Sequence, residues 1–232
     1  MTDDIYSIRT PRVYRYLERQ YVDDFFEHGR LRLSSFAKFS QHEDEQRHDV
    51  KEGHALLVHR TAEGGGQMLT VRIEPNLNAY VLCGSSVPSK SLMEAFEADS
   101  AIIIQDVVGF VGAVAEALPG FLRSIHGICS YQSNRIIERD LGRLDIADAD
   151  TYDVERMNRT GLNEALRGLL TADVNFLKDA EFAHQVEYRM LWMVEEIDEQ
   201  IDIEVSNAIQ FCDSWGDQGE LIAIDRARPM DC

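Results

Sequence analysis

The segment from residue 182 to 194 constrains the fold more than any other part of the chain. It sets two polar residues, Gln185 and Glu187, at the mouth of an apolar run that ends at Val194. The run from 186 to 194 is typical of a β-strand. Because residues i and i+2 of a strand point to the same face, we expect the carboxamide and the carboxylate side by side. That pair suits a site that stabilises positive charge. The alternative is a strand end at which Glu187 pairs with Arg189, on the same face.

The rest of the chain alternates between strand-like and helix-like segments. Strands are predicted at 12–17, 31–36, 56–60, 68–73, 79–83, 101–105, 127–131, 201–205 and 221–224, and helices at 21–28, 89–97, 107–125 and 162–170. Gly29 should end the first helix, Pro119 and Gly120 should break the third near its end, and the glycines at 64–66 should turn a hairpin. The charged stretches 41–53 and 144–153 are predicted surface segments. Without a repeat or linker, this mixture predicts one α+β domain over residues 1–232.

Charge and composition exclude several classes of protein. The chain has 41 acidic and 23 basic residues and a net charge of −18, which repels nucleic-acid phosphates unless basic residues concentrate locally. No apolar run reaches the roughly 18–20 residues of a membrane span, and the first residues lack a secretory signal, so we expect a cytoplasmic protein without a membrane partner. The four cysteines are far apart and are expected to be thiols. No metal motif or nucleotide-binding glycine fingerprint occurs.

Three further positions could bind a ligand. Arg15 lies between two tyrosines in the first predicted strand, and its guanidinium offers a fork of donors for a phosphate or ribose. Ser85 follows Gly84 at a strand end, where small residues let a ligand approach and a hydroxyl can bind a sugar. Arg47 lies in the charged stretch 41–53, which could cover a ligand. The alternatives are a surface arginine over an aromatic pair, an ordinary turn, and a solvated loop with local ion pairs.

Taken in order, these segments resemble an ADP-ribosyltransferase-like family of uncharacterised bacterial proteins, some associated with toxins and phage defence. The resemblance covers most of the chain through short motifs. They are Tyr14-Arg15-Tyr16, residues 25–34, Arg47-x-Asp49-x-x-Glu52-Gly53, Cys83-x-Ser85, Leu92-Met93-x-x-Phe96, residues 102–104 and Gln185-x-Glu187-Tyr188-Arg189.

The resemblance implies a split mixed β-sheet with flanking helices around NAD, and an Arg-Ser-Glu or His-Tyr-Glu set on separate strands. Arg15 resembles the first member of that set, Glu187 the last, and Gln185 the first residue of its Gln-x-Glu form. The middle member stays open between Ser85 and the rivals Ser34 and Ser35, because the usual Ser-Thr-Ser run is absent. The NAD-binding residues implied are Arg15, Tyr16, Ser35, Arg47 and Ser85.

The activity implied is transfer of ADP-ribose from NAD to a macromolecule, either protein or nucleic acid, by a toxin or defence effector with an antitoxin or chaperone partner. Glu187 would stabilise an oxocarbenium-like ribose, Arg15 would hold the pyrophosphate, a serine would position the ribose and Gln185 would touch the acceptor. Replacement of Glu187 by Ala or Gln is expected to keep the fold and to lower the rate. The alternative is a catalytically silent binding or regulatory module with the same fold.

Overall fold

The computed structural model of the protein describes residues 10–39, 55–60, 68–73, 78–139 and 174–215. The chain divides into two compact units. Unit 1 comprises residues 1–38, 77–128 and 184–232, and unit 2 comprises residues 39–76 and 129–183. The sequence predicted a single domain over residues 1–232, and this remains a prediction.

The described residues form strands and short helices along the whole chain. The strands are β1 (Val13–Leu17), β2 (Arg30–Ser35), β3 (Ala55–Arg60), β4 (Met68–Ile73), β5 (Ala79–Ser85), β6 (Ser100–Ile104), β7 (Phe121–Ile128), β8 (Ser130–Tyr131), β9 (Ile136–Arg139), β10 (Leu177–Lys178), β11 (Glu187–Val194), β12 (Gln200–Glu204) and β13 (Cys212–Trp215). The α-helices are α1 (Arg19–His28), α2 (Phe36–Phe39), α3 (Lys90–Ala95) and α4 (Val107–Ala117). Short 3₁₀ helices span Val174–Phe176, Ala180–Gln185 and Ser206–Phe211.

Unit 1 is built on an eight-stranded sheet in which β11 is a central strand. Strand β11 pairs with β5 on one side and β7 on the other, both antiparallel. All eight of its residues are buried, which explains the near-continuous apolar run in the sequence. The strand predicted at 186–194 is thereby confirmed to within one residue.

The sheet forks along the other edge of β5. Near the start of β5, Val81 pairs with Ser34 of β2, and β2 continues to β12. At the end of β5, Ser85 pairs with Tyr14 of β1, and β1 continues through β6 to β13. All of these pairings are antiparallel. Helix α1 connects the two branches, since it lies between β1 and β2 in the chain.

The two faces of this sheet pack differently. The face that we call the helix face is covered by α1 and α4, whose Phe25 and Phe110 belong to one buried cluster with Leu33, Leu82 and Trp192. The other face, which we call the Glu187 face, has a smaller cluster under α3, formed by Tyr14, Tyr16, Leu92, Met93, Ala101, Ile103 and Trp215. Alternate residues of β1 and β6 therefore serve two separate cores.

Two helix ends test the predicted breaks. Gly29 has φ 71° and its N–H donates to the carbonyl of Phe25 at 2.7 Å, so it ends α1 as expected. The helix predicted at 107–125 is wrong in its last part. Helix α4 ends at Ala117, Gly120 turns the chain with φ 62°, and the following residues form β7 against β11. Pairing along a buried strand outweighs the local helical pattern there.

The described residues of unit 2 form two small sheets. Strands β3 and β4 pair antiparallel, which confirms the two strands of the predicted hairpin, and β9 adds to β3 in parallel. Strands β8 and β10 pair in parallel. The ammonium of Lys178 lies 4.8 Å from the centre of the Phe182 ring, a cation–π contact that favours burial of the charge.

The α+β class is confirmed, with mostly antiparallel sheet and few helices. Several predicted features lie outside the described residues: the charged stretches at 41–53 and 144–153, the glycine turn at 64–66, the helix at 162–170 and the strand at 221–224.

Candidate functional site

Three neighbouring strands bring one residue each into a row on the Glu187 face. Ser85 at the end of β5 pairs with Tyr14 of β1 on one side and with Glu187 of β11 on the other. Directly paired residues share a face, with Cβ atoms about 5 Å apart. All three side chains are buried. The structure therefore brings Glu187 and Ser85, two of the predicted site residues, next to each other.

Glu187 forms an ion pair with Arg189, two residues along the same strand. The Nε and Nη2 atoms of Arg189 both donate to Oε1 of Glu187, at 2.8 and 2.6 Å. The two side chains are 6% and 1% exposed. The Arg189 guanidinium also lies 5.4 Å from the ring centre of Phe36. A charge-assisted pair shielded from water in this way is strong and keeps both side chains in one geometry.

A network of hydrogen bonds joins the ends of β5 and β11. The N–H and the hydroxyl of Ser86 both donate to the carbonyl of Val186, each at 2.9 Å; we call this contact the strand-end clasp. Val186 has φ 44°, a left-handed conformation that is strained for a β-branched residue. Strain of this kind costs about 1–3 kcal/mol and is common beside binding sites.

The turn after Ser85 is braced from the same face. The hydroxyl of Ser85 donates to the carbonyl of Val87 at 2.8 Å. The hydroxyl of Tyr16 accepts from the N–H of Ser89 at 2.6 Å. Burial raises the pKa of Tyr16 above its usual 10.0, against the lowering effect of the hydrogen bond from Ser89. The structure thus places Tyr16, a predicted NAD-binding residue, as a support of the turn that follows Ser85.

Arg15 lies on the opposite face of the sheet from Glu187. It pairs with Ile102, which belongs to the core of the helix face, whereas its neighbours Tyr14 and Tyr16 belong to the Glu187 face. Its Nη1 donates to the carbonyl of Cys83 at 3.3 Å. Cys83 lies in the fork of the sheet, between the β5 residues that pair with β2 and β1. Arg15 therefore ties β1 to β5 at the fork, a role that strand alternation alone did not reveal.

Gln185 and Glu187 do not share a strand, so the arrangement expected from their spacing is wrong. Gln185 is the last residue of the 3₁₀ helix Ala180–Gln185, and Glu187 is the first residue of β11. The left-handed Val186 between them turns the chain, so the period of two does not extend back to Gln185. Both residues are buried.

The other candidate serines lie further from Glu187. Ser34 is on the Glu187 face, but its row passes through Val81 to Leu191, four residues along β11 and thus about 13 Å from Glu187. Ser35 pairs with Tyr80 of the helix-face core, and its hydroxyl accepts from the N–H of Lys38 at 3.2 Å. Ser85 is the serine that stands beside Glu187. Arg47 lies outside the described residues.

A second polar pair, absent from the sequence prediction, lies on the helix face. Nδ1 of His126 and the hydroxyl of Tyr188 are 2.7 Å apart, and their rings stack with centres 6.0 Å apart. Burial lowers the pKa of His126 and raises that of Tyr188. Only the register of β7 against β11 brings them together, and residues 121–125 were expected in a helix, so the sequence carried no signal for this pair.

Within the described ranges, no three His, Cys, Asp or Glu side chains gather as a metal ion requires. No described helix combines the length and apolar character needed to cross a membrane. The Glu187 face offers a buried carboxylate, a guanidinium and a hydroxyl at the ends of β5 and β11. Of these groups, the carboxylate can stabilise a cation and the hydroxyl can position a hydroxyl-bearing ligand.

Comparison with known protein families, curated proteins and solved structures found no match for this chain.

Proposed function

We propose that the protein is an NAD-dependent ADP-ribosyltransferase whose glutamate is Glu187 and whose serine is Ser85. The observation that carries the proposal is the direct pairing of these two residues at the ends of β5 and β11. It supports the serine–glutamate part of the Arg-Ser-Glu set that the resemblance implies. The fork of the main sheet beside Ser85 is in keeping with a split sheet of the ADP-ribosyltransferase type.

In the proposed reaction, the bond between C1′ of the nicotinamide ribose and the pyridinium nitrogen breaks, and its electron pair leaves with nicotinamide. The ribose carries positive charge as that bond lengthens, and the Glu187 carboxylate stabilises it. Ser85 orients the ribose. A nucleophilic atom of the acceptor then bonds to C1′ and loses its proton. The acceptor is a macromolecule, protein or nucleic acid, and an antitoxin or chaperone partner belongs to the same proposal.

The proposal changes the part played by Arg15. A role in holding the pyrophosphate required Arg15 on the same face as Glu187, and its pairing with Ile102 puts it on the helix face. We assign it to the fork, where its bond to the Cys83 carbonyl holds β5 against β1. Gln185 is buried before the turn at Val186 and stays a candidate for contact with the acceptor.

Binding of NAD requires the site to open. Glu187 is only 6% exposed on its side chain, and we propose that the strand-end clasp between Ser86 and Val186, next to Glu187 in the chain, separates to admit a ligand. The strain at Val186 supports such a movement, because release of a left-handed valine lowers the cost of opening.

A second candidate function is a catalytically silent binding or regulatory module. The observation that favours it is the buried Glu187–Arg189 pair, since a carboxylate held at 2.6 Å by an arginine can serve the fold alone. In that case, replacing both residues with apolar ones would leave the fold intact, and with it the binding of the module to its partners.

Labelled NAD separates the two candidates. The purified protein, the variant Glu187→Gln and the control Glu204→Gln are each incubated with NAD labelled in its ADP-ribose part and with cell lysate. Glu204 lies on β12, and its side chain is 75% exposed. We expect label on a macromolecule with the wild type and the control, and loss of label with Glu187→Gln. Equal labelling by all three proteins would remove the assignment of Glu187, whereas no labelling together with no NAD binding by calorimetry would favour the silent module.

A further inference from the structure

Arg189 has no part in the reaction as described above, yet it is a buried charged residue in direct contact with Glu187. Its side chain is 1% exposed. The guanidinium meets the Glu187 carboxylate through two of its nitrogens and lies over the ring of Phe36. These contacts keep Arg189 from reaching a ligand, so any effect that it has on a reaction must pass through Glu187.

The hydrogen bonds between Arg189 and Glu187 indicate how Arg189 can affect a reaction. The bonds that Nε and Nη2 of Arg189 donate to Glu187 go to the same oxygen, Oε1. A guanidinium donates in a planar fork, so two bonds to one oxygen restrict rotation of the carboxylate about the Glu187 side chain. Ser85, the partner of Glu187 across β5, stands on the same face. The pair therefore holds the carboxylate in one orientation beside that serine.

We infer that Arg189 is a positioning residue for Glu187, holding the carboxylate in the orientation in which it stabilises the ribose cation. The inference rests on the proposed function. The alternative is that Arg189 neutralises a buried charge and contributes to stability only. Arg189→Lys separates the two roles, because lysine keeps the positive charge but loses the planar fork of donors. A positioning role predicts slower catalysis by this variant, whereas a role in stability alone predicts unchanged catalysis.

The test measures nicotinamide release from NAD by the wild type and by Arg189→Lys, Arg189→Met and Glu187→Gln, with the double variant Glu187→Gln/Arg189→Lys. We expect Arg189→Lys to lower kcat about tenfold or more, as misplacement of a reacting group does. KM for NAD should stay within about twofold, since Arg189 does not touch NAD. In the Glu187→Gln background the lysine substitution should have no further effect, because both changes remove one contribution.

The outcomes of this test distinguish failure of the positioning role from failure of the proposed function. An Arg189→Lys variant with wild-type kcat, or one that changes KM alone, would overturn the positioning role while the wild-type activity upholds the proposed function. Full additivity in the double variant would do the same. A wild type that releases no nicotinamide would overturn the proposed function and the inference with it. If Arg189→Met does not fold, Arg189→Lys carries the test, and its folding is checked by circular dichroism.

Discussion

Truncation of Glu187 to alanine is expected to lower the free energy of unfolding by about 3–5 kcal/mol, because it leaves Arg189 buried without its carboxylate. The structure sets the size of this effect: the Arg189 side chain is 1% exposed, so water cannot replace the lost partner. The loss would be a large part of the roughly 5–15 kcal/mol that stabilises a folded domain. The expectation that Glu187→Ala keeps the fold unchanged is therefore revised, and glutamine is the preferred substitution for kinetics.

Urea unfolding at equilibrium measures the effect. Trp192 is a suitable fluorescent probe, since it is fully buried and its indole N–H donates to the carbonyl of Val111 at 3.0 Å. The double variant Glu187→Leu/Arg189→Met removes both charges and should recover most of the loss, because apolar residues of similar size can replace a buried ion pair at little cost.

The matched control is Glu204→Ala, whose carboxylate is 4.0 Å from Arg30 at an exposed position. It should change the free energy of unfolding by less than about 1 kcal/mol. A loss below about 1 kcal/mol for Glu187→Ala would refute the reasoning. So would a double variant no more stable than Glu187→Ala, since the cost would then not come from the uncompensated arginine.

Two further predictions concern helix α4 and the histidine of β7. In α4, Gly109→Ala should lower the free energy of unfolding by about 1–3 kcal/mol, because a Cβ there would overlap the ring of Phe211. A Cβ at Gly112 meets no atom within 4 Å, so Gly112→Ala should raise the free energy of unfolding by about 0.5–1 kcal/mol. Thermal unfolding would contradict this if the midpoints of both variants shifted in the same direction. Burial lowers the pKa of His126 below its usual 6.5, so the unfolded chain binds the proton more readily and stability should fall as the pH drops below about 6.5. His126→Asn should flatten that fall; chemical unfolding at several pH values checks it, and equal slopes for wild type and His126→Asn would count against it.

The elements that the sequence predicted well are those whose pattern is local and unambiguous. The run that became β11 has eight buried residues in a row, and Gly29 ends α1 through its own left-handed conformation. Residues 121–128 show where a local sequence pattern does not decide the structure. Their apolar pattern fits helix or strand, and pairing with β11, which is far away in the chain, decides for the strand.

The site was predicted only in part, because its geometry also depends on pairing between strands that are distant in the chain. Alternation showed that neighbouring residues of β1 serve different faces, but which face carries Glu187 depends on register among three strands. That register puts Ser85 beside Glu187 and Arg15 behind the sheet. The positive φ of Val186 separates Gln185 from the strand, and no sequence rule anticipates a valine in that conformation.

Nicotinamide release from NAD by the purified protein tests the central claim most directly, because water can bond to C1′ in place of the acceptor and no partner is required. We predict that the wild type and Glu204→Gln release nicotinamide at the same rate, and that Glu187→Gln is slower by about 10²–10³-fold. Glutamine keeps an oxygen that can accept from Arg189 while it removes the negative charge. Absence of release by the wild type, or an equal rate for folded Glu187→Gln, would contradict the account.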